Sequence, residues 1–327
     1  MNPRSVALVG CGDIAYGYAI KLKHEGIHTH CDSLSLSSKF RLMAACDSDE
    51  KKAFECSASY DFPNVYHSFE DLIRREKVEV VVICTPDDTH ANLAKLALSI
   101  PTLRAIVMEK PIALSSADAE QLILEAGSKN VILAVNYSRR YSPVIQALHE
   151  KLSSESIRSL CGYYSKGVFH NGTHWFDLAD FLGGKVVTTK AKNSMRKRSP
   201  DPTLDVYMEF SNGATGFLAG CDEQEYTLFE MDILTDKGRY RLTDSGRTLQ
   251  TWISGDSLSR SGFRALFPDK TAPTSLGESL PSLWEDLAKC LDTGAVPISN
   301  SQNAIQALKV AETALRSSES GNMEAVR

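Results

Sequence analysis

Up to about Tyr137 the apolar residues of this chain fall in short unbroken runs: Ser5–Val9, Phe40–Cys46, Val78–Cys84, Ala105–Met108 and Val131–Val135. Runs of that length, rich in β-branched residues and closed by Gly, Pro, Asp or Asn, predict strands buried on both faces. Between them the apolar residues recur at helical spacing, as Ala15, Ala19 and Leu22 do, or Ala91, Ala94 and Ala97. Val65–Leu72 reads as a short strand turning into a helix, and Ser115-Ser116-Ala117-Asp118 as a helix start. Strand and helix alternate, which predicts a doubly wound parallel α/β sheet. The rhythm then changes. Ser159–Val168 is strand-like, and Thr203–Phe210 and Thr215–Cys221 alternate across Ser211-Asn212-Gly213, a hairpin signal. Glu230–Thr235 and Gly238–Thr243 form a second hairpin across Asp236-Lys237, so this half is expected to be α+β with a mainly antiparallel sheet. Ser257–Gly277, with two prolines and little periodicity, reads as a loop, while Ser282–Leu291 and Gln302–Ser318 read as amphipathic helices.

Composition narrows the classes of function. The 327 residues are more than one ordinary domain needs, so two domains are expected. A net charge of −5 argues against a nucleic-acid or anionic-membrane partner. No apolar run approaches the roughly 18 residues of a spanning helix. The start of the chain leads straight into a strand-like run, so no signal peptide is expected. The eight cysteines include no Cys-x-x-Cys pair, and several lie inside apolar runs, as reduced core residues of a cytoplasmic protein would. His24, His28, His30 and Cys31 match no standard zinc spacing. With the surrounding His24–Lys39 they read as a solvated loop insertion, and no metal site is expected. Met195–Pro200 is a basic run, read as a solvated loop with a phosphate- or carboxylate-holding loop as the alternative.

Candidate chemistry collects at the predicted strand ends. The first strand runs into Gly10-Cys11-Gly12-Asp13-Ile14-Ala15, a Gly-x-Gly-x-x-Ala pattern placed between a strand and a helix. The first glycine permits a tight turn, the second lets backbone approach a pyrophosphate, and the small Ala15 keeps helix and sheet close. Asp47, at the end of the second strand, suits the adenosine ribose and disfavours a 2′-phosphate, so NAD is expected over NADP, with NADP still open. Glu109-Lys110-Pro111 closes a buried strand. Ligands of open parallel sheets bind beyond that end, where a desolvated lysine can exchange protons near neutral pH. In the second half, His174 and Asp177 share a helical face, so the Asp either orients the imidazole or caps a neighbour. Asn171-Gly172-Thr173 before them reads as a turn and helix cap.

Taken in order, Gly10–Ala15, Asp47, Thr85-Pro86 with His90, Glu109-Lys110-Pro111, Asn136–Arg140, Gly172–Leu178 and Ala314–Gly321 resemble the Gfo/Idh/MocA family of nicotinamide-dependent oxidoreductases. The resemblance implies a Rossmann domain over 1–137. It also implies an α+β domain over 138–327, whose large open sheet floors the substrate site and joins copies into a homodimer or homotetramer. It assigns Gly10, Gly12, Asp13, Ile14, Asp47, Thr85, Pro86, His90, Glu109, Lys110 and Asn136 to the cofactor. Lys110, Arg139, His170, Asn171 and His174 are assigned to the substrate, with Lys110 and His174 catalytic. Many relatives carry Asp where this chain has His170, which leaves the usual proton relay, direction and substrate open. The expected reaction is hydride transfer between nicotinamide and a carbinol or ketone carbon of a sugar, polyol or nucleotide-linked sugar. His170 and the basic run lean toward an acidic or nucleotide-linked sugar. The alternatives are a non-catalytic NAD-binding regulator, or C–C or imine reduction or NAD-dependent glycosidase chemistry on the same fold.

Overall fold

The unbroken apolar runs become a six-stranded parallel sheet of order β3-β2-β1-β4-β5-β6 in the computed structural model, which describes residues 2–21, 27–195 and 199–327. The elements are β1 (Arg4–Val9), a tight helical turn over Asp13–Gly17 continued by α1 (Tyr18–Lys21), α2 (His30–Ser35), β2 (Phe40–Cys46), α3 (Glu50–Tyr60) and β3 (Asn64–Tyr66). They continue through α4 (Phe69–Arg75), β4 (Val80–Ile83), α5 (His90–Ala97), β5 (Ala105–Met108), α6 (Ser116–Ser128) and β6 (Ile132–Val135). Every residue of β4 and β5 is buried, as central strands covered on both faces must be. The predicted α6 start holds: the Ser115 hydroxyl accepts from the Asp118 amide at 3.1 Å. The strand order reverses between β1 and β4, the switch point of a doubly wound sheet.

Nine strands make the second sheet, in the order β14-β13-β12-β11-β7-β10-β9-β8-β15. The chain enters it through α7 (Pro143–Leu152), β7 (Ile157–Tyr164), α8 (Thr173–Gly183) and β8 (Val186–Lys192). Both predicted hairpins are present. β9 (Asp205–Phe210) pairs antiparallel with β10 (Thr215–Gly220), and β11 (Phe229–Thr235) with β12 (Gly238–Thr243). Among the described residues of this sheet, only β7 and β10 run parallel. Along β7, Leu160, Gly162 and Tyr164 are buried while Cys161 and Tyr163 are exposed, so this sheet is covered on one face. Trp175 of α8 is buried and donates its Nε1–H to the Glu230 carbonyl at 3.0 Å. The loop expected over Ser257–Gly277 is corrected: β13 (Thr248–Asp256) pairs antiparallel with a ten-residue β14 (Arg264–Pro273). β14 is the sheet edge, where prolines are tolerated and neither face needs an apolar row, so the period-two signal is weak.

Past β14 come α9 (Ser279–Thr293), α10 (Ser301–Ser320) and the short β15 (Glu324–Ala325). The chain divides into one compact unit of Met1–Tyr141 with Gly277–Ile305, and another of Ser142–Leu276 with Gln306–Arg327. The first unit ends at Tyr141 and takes in Gly277–Ile305 from later in the chain. α9 belongs to the first unit because Leu283, Trp284, Leu287 and Leu291 enter the same apolar core as Val6, Leu8, Val80 and Val107. Arg4 pairs with Asp292, and Arg104 Nη2 donates to the Leu291 carbonyl at 2.6 Å. Fully burying each such leucine stabilises by about 1.5–3 kcal/mol, enough to draw the helix back. Trp284 lies edge-on to Phe40, with centroids 5.0 Å apart. Trp284→Ala is expected to lower the stability of the first unit by about 3–5 kcal/mol. Chemical denaturation followed by far-UV circular dichroism checks this, and a change under 1 kcal/mol would contradict the packing argument.

Candidate functional site

At the carboxyl end of β1, Gly10 has φ +90°, and a Cβ there would stand 2.6 Å from the Cys84 carbonyl carbon. Only glycine lets β1 and β4 close at this point. Above Gly12 the situation is the opposite: a Cβ would meet nothing within 4 Å. The backbone there faces open space at the start of the Asp13–Gly17 turn, whose first amides have no partner within the helix. Asp47, at the end of β2, accepts from the Cys11 amide through Oδ2 at 2.7 Å and from the Asp49 amide through Oδ1 at 2.9 Å. Each oxygen retains a second lone pair, so Asp47 braces the glycine loop and still has capacity for a hydroxyl donor. The Asp13 carboxylate pairs with Lys21 Nζ at 2.5 Å. Ile14 is half-buried against the core.

Beyond β4, Thr89 donates to Thr85 Oγ1 at 2.6 Å and also lies 2.7 Å from the Pro86 carbonyl, which shapes the Thr85–Thr89 turn. His90 is completely buried. Its Nδ1 and Nε2 lie 2.7 and 2.9 Å from the Pro111 and Thr85 carbonyl oxygens. The imidazole thus stands between the loops that follow β4 and β5, within hydrogen-bond distance of a carbonyl on each. Lys110 follows β5, half-buried, and its peptide bond to Pro111 is cis.

The Glu109 carboxylate receives two hydrogen bonds on Oε1, from Asn136 Nδ2 at 2.7 Å and from His30 Nε2 at 3.0 Å. Burial by itself would raise the Glu109 pKa. The hydrogen bond and charge of His30, the Asn136 bond and the Lys110 ammonium outweigh it and hold the carboxyl below its ordinary value. Its ionised form therefore contributes stability above the usual carboxylate range, lost as pH falls through the lowered value. Asn136 is buried and its Oδ1 has no partner among the described residues. The open space over Gly12, this orphan acceptor and the acid at the end of β2 together fit a dinucleotide.

In the second unit the turn over Gly167–Gly172 leads into α8. Lys166 and Gly167 both have positive φ, and a Cβ on Gly167 would collide with Asp201 at 2.1 Å. Asp201 accepts from the Phe169 and His170 amides at 2.8 and 2.9 Å, which sets the backbone of His170. The cap expected at Asn171-Gly172-Thr173 is absent. Gly172 is already helical, and the Thr173 hydroxyl donates back to the Phe169 carbonyl at 2.7 Å. His170 is exposed, Asn171 and His174 half-buried, and Asp177 buried. Arg139 lies half-buried in the short helical turn Ser138–Tyr141 of the first unit.

Sequence reasoning missed two participants. Asp201 carried no local signal. His30 was assigned to a solvated loop, yet it and Cys31 are fully buried. A signal existed in Thr29-His30-Cys31-Asp32: Thr29 caps α2 by accepting from the Asp32 amide at 3.1 Å. His24 and Arg196–Arg198 of the basic run lie outside the described residues. Among the described residues no cluster of three metal-ligating side chains occurs, and no helix is long and apolar enough to cross a membrane.

Comparison with known proteins gives concordant results. An oxidoreductase-family NAD-binding Rossmann fold matches residues 4–137, and that family's C-terminal alpha/beta domain matches residues 165–326. Inositol 2-dehydrogenase of Rubrobacter xylanophilus is 36% identical over 121 residues, 36% of this chain and 33% of that protein. Trans-1,2-dihydrobenzene-1,2-diol dehydrogenase of Sus scrofa is 28% identical over 123 residues, 38% of this chain and 36% of that protein. The chain spans about a third to three-fifths of the length of the curated relatives it matches. The WlbA dehydrogenase of Bordetella pertussis, solved with NADH and UDP-GlcNAcA, superposes with TM-score 0.78 over 99% of both chains at 17% identity. Levoglucosan dehydrogenase, solved with NADH and levoglucosan, gives 0.82 over 99% of both chains at 16% identity. At such identities the likeness establishes the fold.

Because Gly12 has negative φ and open space before it, Gly12→Ala is expected to fold like the wild type. It is expected to weaken NAD binding at least about tenfold, roughly 1.4 kcal/mol, while the wild type binds NADP less tightly than NAD. Titration calorimetry with both cofactors checks this. Unchanged affinity in Gly12→Ala would remove the glycine loop from the cofactor site.

Proposed function

Because the chain belongs to the Gfo/Idh/MocA oxidoreductase family, we propose that it is a nicotinamide-dependent dehydrogenase or reductase. Its reaction is hydride transfer between the cofactor and a ring carbinol or ketone carbon of a sugar, polyol or nucleotide-linked sugar. The observation that carries this reading is the meeting of two features at the carboxyl edge of one parallel sheet. A glycine loop with open space before it follows β1, and Lys110 follows β5 beside an ionised, doubly hydrogen-bonded Glu109. NAD, when bound, supplies the hydride chemistry.

This chain's residues handle the proton and the binding. Gly12 and the amides of the following turn take the pyrophosphate, Asp47 the ribose hydroxyls, and Asn136 Oδ1 a donor on the cofactor. Lys110 accepts the carbinol proton in oxidation and returns it in reduction, and its charge stabilises oxyanion character on the substrate. His174 is assigned as the second proton-handling group, and Arg139, His170 and Asn171 to substrate hydroxyls, on the family pattern they match. The substrate class draws support from the relatives: their names specify inositol and a dihydrodiol, and the solved neighbours hold levoglucosan and a nucleotide-linked sugar acid.

Lys110→Met is expected to reduce turnover by about 10²–10⁴ while NAD affinity stays within about threefold. Steady-state kinetics on a panel of polyols and nucleotide sugars, with cofactor titration, checks this, and undiminished turnover removes Lys110 from the chemistry.

The uncovered face of the nine-stranded sheet is assigned to association between copies of the chain. It presents Tyr163 and Phe217, 48% and 46% exposed, beside the Arg239–Asp232 and Arg241–Glu230 pairs. Light scattering is expected to give two or four times the 35.9 kDa chain mass, and Phe217→Arg a smaller species. A monomeric wild type would end this assignment.

A further inference from the structure

His30 has no part in the reading above, yet it touches the acid next to Lys110. It opens α2, has no exposed surface, and stands edge-on to the Trp284 ring of α9 with centroids 5.8 Å apart. Because Glu109 is ionised and accepts only, the proton of the 3.0 Å contact sits on His30 Nε2. The Glu109 side chain is only 16% exposed, so a solvent bond would replace this one poorly. Cap and packing fix the ring: Thr29 starts the helix, Asp32 accepts a hydrogen bond from the Tyr60 hydroxyl at 2.6 Å, and α2 packs on α9.

We propose that His30 is a positioning residue, which holds the Glu109 carboxylate in place and through it sets the charge state of Lys110. The inference rests on the assignment of Lys110 as the proton-handling group. Among the described residues, the groups that act on the carboxylate are His30 from α2, Asn136 from the end of β6, Cys84 from the end of β4 and the adjacent Lys110. Cys84 stays a neutral thiol, because burial and the Glu109 charge push its pKa up. α9 presents the indole of Trp284 to the imidazole. Without His30, burial acts on a carboxyl that has lost one of its two Oε1 donors, and Glu109 takes up a proton more readily. Where Glu109 is still ionised, its charge is no longer held in place beside Lys110, so the ammonium is less stabilised and releases its proton at lower pH.

The test reads Lys110 directly. The full-length protein is pulse-acetylated across a pH series, and mass spectrometry of the Lys110 peptide gives the midpoint of its reactivity. His30→Phe keeps a ring against Trp284 and removes the donor. His30→Gln places an amide N–H near the position of Nε2. Glu109→Gln is expected to lower the midpoint by about one pH unit, tenfold in labelling at fixed pH below it, and His30→Phe to lower it in the same direction by about half as much. The double variant is expected to go no further than Glu109→Gln, and His30→Gln to restore the wild-type midpoint. Should His30→Phe not fold, His30→Asn, whose shorter reach also breaks the contact, gives the same reading. A wild-type midpoint in the donor-removing variants, or additive shifts in the double variant, would overturn the proposal and leave a histidine that only fills the core. Midpoints that behave as expected in a protein without turnover would instead sink the dehydrogenase reading and keep the positioning role.

Discussion

A sheet covered on both faces has no room for polar side chains along its strands. β4 and β5 are buried at every position, and a polar group there would lose its water without gaining a partner. All chemistry is thereby driven to the strand ends, where backbone turns away from the ladder and side chains regain donors and acceptors. Gly10–Asp13, Asp47, Thr85, Glu109–Lys110 and Asn136 each stand one to a few residues past the end of a parallel strand. Parallel register points these ends the same way, so residues far apart in the chain share one edge.

That edge is held together by polar bonds of long sequence separation. His90 ties the loop after β4 to the loop after β5 through two carbonyls. Asp47 ties the loop after β1 to the end of β2. Asn136 and His30 tie the ends of β6 and α2 to Glu109. Each bond is worth about 1 kcal/mol net, but breaking one leaves a buried partner unsatisfied, which costs more. The network acts chiefly on geometry: it fixes where the backbone of each loop stands. The four buried thiols near the glycine loop, Cys11, Cys31, Cys46 and Cys56, pack under it as small apolar groups. The bond with Cys56 and then burial push up the thiol pKa of Cys11, burial pushes up that of Cys46, and at Cys56 a bond with Cys11 that lowers the pKa is outweighed by Cys31 and burial.

The second unit solves a different problem. One face of its sheet is covered and the other carries ion pairs and exposed aromatics, so its strands alternate where those of the first unit do not. Asp201 illustrates how an irregular turn is stabilised there. Its two oxygens take the amides of Phe169 and His170, and Gly167 supplies the only side chain small enough to let it in. The helix that carries His174 then starts from a turn whose backbone groups are already satisfied.

Local patterning determined a great deal: the strand ranges of the parallel sheet, the Ser115 cap, both hairpins, and the placement of a glycine loop, an acid and a Glu-Lys pair at strand ends. These follow from contacts between near neighbours, which a chain carries in its residue order. Other features needed the folded molecule. The edge strand β14 lacks an apolar row because most of its residues are exposed. α9 returns to the first unit because its apolar stripe fits the core that β1 and β4 leave uncovered. His30 becomes a buried partner of Glu109 only when α2 and β5, 79 residues apart, meet at one edge. An imidazole in a polar stretch reads the same whether it faces water or a carboxylate. What separates the two is desolvation, and desolvation depends on what the rest of the chain brings against it.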